Sequence, residues 1–258
     1  MNTIFFRSLL SEWLKKKRTA GSWLVILGGF FIPVIFLIAR IVQSEDLYES
    51  NTSTEMWDHL IMNCWQFMAI FLLPMGVILT TSLVTQNEFR NNTWKQVHTT
   101  PQHFSVVYFS KLIVILIMLA QFFILFNVGI YLAGIIPGFF FADIPFPVQP
   151  YPFWPSLQLN AQYFVCCLPI VGLQYLLSLH FRNFLLPLGA GIALLIAALI
   201  GLQWKYGYVI PYSYSGLQFL SKNQGVPPTV NIAAWSTGYF LLFIIAGYFL
   251  YTGKREKG

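Results

Sequence analysis

Six runs of apolar residues, each long enough to cross a bilayer, constrain this chain more than any single motif. They fall at about 22–42, 61–85, 112–136, 161–180, 184–203 and 232–252, near the ~20 residues that a spanning helix needs. Lipid offers no hydrogen bonds to a backbone, so such runs become helices. The expectation is an all-α membrane protein, a single transmembrane domain over residues 1–258 with six transmembrane helices. Only 9% of the residues are charged, against ~25% in soluble domains. A net charge of +6 would point to nucleic acid in a soluble chain. Here the basic residues flank apolar runs, so topology accounts for them and no nucleic-acid partner is expected.

The charges orient the spans. Arg7, Lys15, Lys16, Lys17, Arg18, Arg90, Lys95, Lys111, Arg182, Lys254, Arg255 and Lys257 fall on one side and Arg40, Lys205 and Lys222 on the other. The basic side is cytoplasmic by the positive-inside rule, which places both termini there. Residues 1–20 read as an amphipathic helix lying in the interface, with Phe5, Leu9 and Trp13 striped beside Phe6, Leu10 and Leu14. The run at 22–42 is too long for a signal-peptide core and lacks a small-residue cleavage site. It stays as a span.

Between the second and third spans lies the longest polar passage on the basic side, 86–111. Glu88, Arg90 and Lys95 surround Trp94. Asn92 suits the N-cap of a short helix over 93–98, and Pro101 suits a second helix start. Such an element is shaped to dock on a soluble partner; the plainer reading is a solvated basic loop.

On the other side, 43–60 is acidic, while 137–160 and 204–230 mix prolines with aromatic residues. Prolines disfavour a regular helix there, and aromatic rings favour the membrane–water interface. These loops either anchor the chain at that interface or close the outer end of a substrate path. Asn51-Thr52-Ser53 matches a glycosylation sequon.

Within the spans, Asn63, Gln66, Gln121, Asn127 and Gln174 supply amides that bond helix to helix or line a polar substrate path; Asn63 and Gln66 share a face. Gly189, Ala193, Ala197 and Gly201 place small residues on one face of the fifth run. That face packs within the subunit or forms a subunit–subunit seam. Cys64, Cys166 and Cys167 read as small core residues, and His180 as a helix-end cap. Ion-driven transporters place ionisable groups at mid-span; no acidic residue falls there, so the energy source is expected outside this chain. Phosphate-binding loops, zinc-binding His pairs and nucleophile turns are not found. No catalytic residue, cofactor or metal site is expected in this chain.

Glu88, Asn92-Thr93, Pro101 and Lys111 together resemble the membrane subunits of ABC-type exporters of the ABC-2 class. That family pattern has Glu, a Gly-Thr-like pair, Pro, and a Lys opening the third span. Asn92 stands where many relatives have Gly, and Asn tolerates similar backbone angles. Residues 173–184, with Pro187-Leu188-Gly189, Trp204-Lys205-Tyr206 and Pro211-Tyr212, are similar to permeases of the lantibiotic-immunity and bacteriocin-export branch. The resemblance implies a permease in the bacterial cytoplasmic membrane, paired with an identical or sister permease. It also implies separate ABC ATPase subunits that hold ATP and Mg. The cargo would be amphiphilic or hydrophobic, such as an antimicrobial peptide. Glu88, Arg90, Asn92, Thr93, Trp94, Lys95, Val97 and Pro101 would then couple the permease to its ATPase. A non-transporting membrane scaffold or sensor is the alternative.

Overall fold

Every described element is helical, as a backbone in lipid requires. The structure, a computed structural model, describes residues 2–17, 19–43, 45, 47–90, 104–141, 143–181, 183–223 and 230–253. Its helices are α1 (Asn2–Lys16), α2 (Ala20–Val42), α3 (Leu47–Thr52), α4 (Met56–Phe67), α5 (Leu73–Arg90), α6 (Phe104–Ile135), α7 (Pro137–Phe140), α8 (Phe153–His180), α9 (Leu185–Gly201), α10 (Tyr214–Asn223) and α11 (Ile232–Gly253). Among the described residues, five helices are long and apolar enough to cross a membrane: Ala20–Val42, Met56–Gln86, Ser105–Phe140, Phe153–His180 and Ile232–Thr252. The fifth run, expected over 184–203, is the shorter helix α9 of 17 residues, with a rise of about 26 Å.

Two tight helix pairs form the bundle. α2 lies along α6, α8 lies along α11, and α5 joins the pairs by touching both α2 and α8. Close approach is built in locally. Pro33 in the middle of α2 packs on Gly129, where a Cβ would come within 2.9 Å of the proline ring. α4 and α5 form one rod interrupted by a π-turn at Met68–Leu72. Pro74 follows it, and its missing N–H and bulky ring are the local cause of the wider turn.

Two connections differ from the sequence expectation. α8 begins at Phe153, inside the stretch whose prolines were expected to exclude helix. Pro155 falls in its first turn, where backbone N–H groups lack intrahelical partners anyway, so the proline removes no bond there. Pro137 likewise opens the single turn α7. Residues 202–223 turn inward, burying Tyr212 and Tyr214 while Trp204 and Tyr206 stay exposed. Gly207 makes this possible, because a Cβ there would lie 2.2 Å from the Gly201 carbonyl oxygen. α10 then packs on α8 and on the π-turn.

The face α1 turns inward is polar. Ser8, Glu12 and Lys16 are buried, whereas Phe6, Leu10, Trp13 and Leu14 are exposed. The apolar side chains of α1 thus lie on the face turned away from the bundle.

Candidate functional site

The chain between α5 and α6 is the passage that the sequence marks for docking. Glu88 and Arg90 lie in the last turns of α5. Their side chains, and Asn92, Thr93, Trp94, Lys95, Val97 and Pro101 entirely, fall outside the described residues, as does the helix expected over 93–98.

Both helices that flank this passage are fixed by buried polar contacts. At the end of α5, Gln86 is 3% exposed. Its Nε2 donates to the carbonyls of Ser178 (2.8 Å) and Phe181 (2.7 Å). It therefore caps α8, whose last carbonyls have no partner within the helix. Near the start of α6, Lys111 Nζ lies 3.1 Å from Glu12 Oε2, with the two side chains 3% and 6% exposed. Glu12 also binds Lys15, one turn along α1. Lys16 donates to Gln121 Oε1 (3.2 Å) and lies over the Trp13 ring. Burial lowers the Lys16 ammonium to about 8. The carbonyl of Lys16 accepts from the hydroxyls of Thr19 and Ser22, both at 2.7 Å, which fixes the corner into α2.

The helices on either side of the α5–α6 connection are thus tied through Gln86 to α8 and through Lys111 to α1. Sequence reading missed both Gln86 and Glu12, whose partner across the bundle is Lys111. A lone acid on a basic helix was the available signal.

The amides proposed for a substrate path do not converge. Gln174 is fully buried; its Nε2 donates to Ser82 Oγ (2.7 Å) and the Pro187 carbonyl (2.8 Å), and Tyr212 donates to its Oε1 (3.0 Å). This one side chain ties together α5, α8, α9 and the inward-turned connection. Gly191 makes room for it, since a Cβ there would sit 2.7 Å from Oε1. Gln121 is engaged by Lys16. Asn127 donates to the Phe123 carbonyl (2.7 Å) and accepts from Tyr151 (2.9 Å). Asn63 and Gln66 are exposed together on the outer face of α4.

On α9, Gly189, Ala193 and Ala197 are exposed while Gly201 is buried. The opposite face carries Pro187, Gly191, Leu195 and Ala198 into the bundle. Three of the four small residues are therefore presented outward.

Two open grooves flank α6. One, of about 670 Å³, runs between α2 and α5 beside the π-turn and is walled by apolar side chains such as Leu27, Phe31, Met75 and Met118. The other, of about 730 Å³, lies between α6 and α8. Both are in the range of small-molecule sites, roughly 300–1,000 Å³.

The end of the bundle remote from Gln86 is closed by aromatic rings and backbone acceptors. Trp57 stacks on Tyr131 and meets Tyr151 edge-on, and its indole N–H donates to the Gln149 carbonyl (2.8 Å). Asn51 is fully buried, accepts from Arg40 and donates to the Pro145 carbonyl. A residue so enclosed is not a glycosylation acceptor. Cys64, Cys166 and Cys167 are free thiols buried in the core.

These helices define a multi-pass membrane protein. The description "ABC-2 family transporter protein" matches residues 8–199, so the chain belongs to the ABC-2 transporter family. It matches no curated protein and no solved structure. Membership supports a membrane-spanning permease subunit of an ABC transporter and not its catalytic subunit.

Proposed function

We propose that this chain is the permease subunit of an ATP-driven exporter, coupled to separate ABC ATPase subunits through residues 88–101. The observation that carries the coupling role is that both helices leading into this passage are fixed by buried polar bonds, Gln86 to α8 and Lys111 to α1. ATP and Mg bind in the ATPase, whose closure moves residues 92–98. Trp94 and Val97 anchor the interface, because a few well-packed side chains dominate such contacts. Lys95 and Arg90 pair with acidic residues of the ATPase. α5 and α6 then carry the motion into the bundle.

Two permease chains, identical or sisters, form the transporter in the bacterial cytoplasmic membrane, with both termini cytoplasmic. α9 serves as a short sixth span, α1 lies in the interface, and Gly189, Ala193 and Ala197 face the second permease. The cargo is amphiphilic or hydrophobic, a lantibiotic or other antimicrobial peptide. Asn63 and Gln66, the exposed amide pair, are the path residues left for it; the other three amides hold the bundle together.

The test is ATPase stimulation by the purified complex. Trp94→Ala should leave the permease folded and reduce stimulation at least about tenfold, the loss expected of an anchor worth ~2 kcal/mol. Stimulation at the unmodified level would remove the coupling role.

A further inference from the structure

We infer that the cavity between α4, α8 and α10 is a binding site for the head of a zwitterionic phospholipid with a primary ammonium, the phosphatidylethanolamine class. The cavity measures about 340 Å³, within the range of small-molecule sites. Asp58 of α4 and Lys222 and Asn223 of α10 line it, and all three are exposed. Trp65, Tyr163 and Phe219 line it from the buried side. Ile61, Met62 and Leu159 add apolar wall.

The polarity of the cavity follows membrane depth. Met56 opens the apolar run Met56–Gln86, so Asp58 stands at the water end of a span. Trp65 lies about 10 Å further along the same helix. The headgroup layer is roughly 5–8 Å thick on each side of the hydrocarbon, so the cavity reaches from that layer into the apolar zone. An amphiphile fits this gradient with its head beside Asp58 and Lys222 and its chains toward Met62 and Leu159.

Charge selects the head. Among the described residues, Asp58 and Lys222 form no ion pair, either with each other or with a third residue, although both line one cavity. Asp58 lies in the first turn of α4 and Lys222 in the last turn of α10, the helix ends that favour those charges. A ligand with one cation and one anion answers both. Its phosphate accepts from Lys222 and the Asn223 amide, and its ammonium donates to Asp58, in charge-assisted bonds. A choline head has no N–H for the carboxylate and needs an open aromatic face instead. The rings here offer none: all three are buried, and Trp65 lies flat on Tyr163 with centroids 3.9 Å apart. A phosphatidylglycerol head lacks the cation. The inference rests on a membrane setting and not on ATP coupling.

Native mass spectrometry of the purified full-length chain tests it, with titrations of dioleoylphosphatidylethanolamine, dioleoylphosphatidylcholine and dioleoylphosphatidylglycerol. The ethanolamine lipid should bind about tenfold tighter than either of the others, as one charge-assisted bond gives. Asp58→Asn should erase that preference, and Lys222→Gln should weaken binding of all three. Both side chains are exposed, so neither change threatens the fold. Met62→Trp, which narrows the cavity without removing a charge, should also weaken binding. Glu55→Gln, at an exposed acid outside the cavity, should leave the preference unchanged. Equal binding of the three lipids, a preference that survives Asp58→Asn, unchanged binding in Lys222→Gln or Met62→Trp, or a loss of preference from Glu55→Gln as large as from Asp58→Asn, would each overturn the assignment.

Discussion

The two ends of the bundle are held by different chemistry. Near the α5–α6 connection the contacts are charged or amide bonds with fixed geometry: Glu12 to Lys111, and Gln86 to two carbonyls. At the opposite end Trp57, Tyr131 and Tyr151 stack around Gly134, and polar side chains reach backbone carbonyls of the proline-rich connection. Directional buried bonds resist sliding and pass on displacement; ring stacks tolerate small shifts at modest cost. Under the proposed coupling, the first end would transmit motion and the second would seal.

The largest expected break is at the ion pair. Glu12→Ala leaves the Lys111 ammonium buried without this carboxylate, a loss of about 3–5 kcal/mol. It should appear as a large fall in the thermal transition in detergent. Glu12→Met with Lys111→Met should recover most of it, because paired apolar replacements avoid the buried charge.

At the sealing end, Gly134→Val drives a side chain into Trp57, whose ring already lies 2.3 Å from where a Cβ would sit. Overpacking there should cost about 1–3 kcal/mol and leave ATPase stimulation intact. Gln86→Leu removes two neutral hydrogen bonds, about 1 kcal/mol each. It should lower stimulation more than its modest stability loss explains. If the Gly134 and Gln86 variants affected stimulation equally, the contrast between the ends would fail.

Lys16 gives the smallest effect. Its folded value of about 8 lies below the ordinary 10.5, so the unfolded chain binds more protons between those values and stability rises with pH across that window. The burial penalty is fully present below about 8. Lys16→Met should flatten this part of the thermal-stability profile.

The helical architecture was legible because a bilayer dictates apolar length, and α2, the α4–α5 rod, α6, α8 and α11 all coincide with expected runs. Helix ends were less legible. Pro152 and Pro155 suggest a break in any window-based reading, yet a proline in a first turn breaks nothing. The inward turn at 202–223 was hidden because tyrosines are equally at home at an interface and in a buried bond to Gln174. Pro74 was a visible signal for the π-turn and went unused. Glu12 with Lys111, and Gln86 with the end of α8, join residues distant in sequence, and no local period encodes such pairs. The passage proposed for docking was marked by sequence alone, through Trp94 among charges and Asn92 before a short polar run.

Coupling to ATP hydrolysed in a partner chain is checked by affinity purification of the tagged protein in mild detergent, with ATPase turnover and subunit stoichiometry recorded. An ATPase should co-purify, with turnover that depends on this chain and two permease chains in each complex. A preparation free of ATPase, from a mild-extraction control known to preserve such complexes, would contradict the account and favour a membrane scaffold.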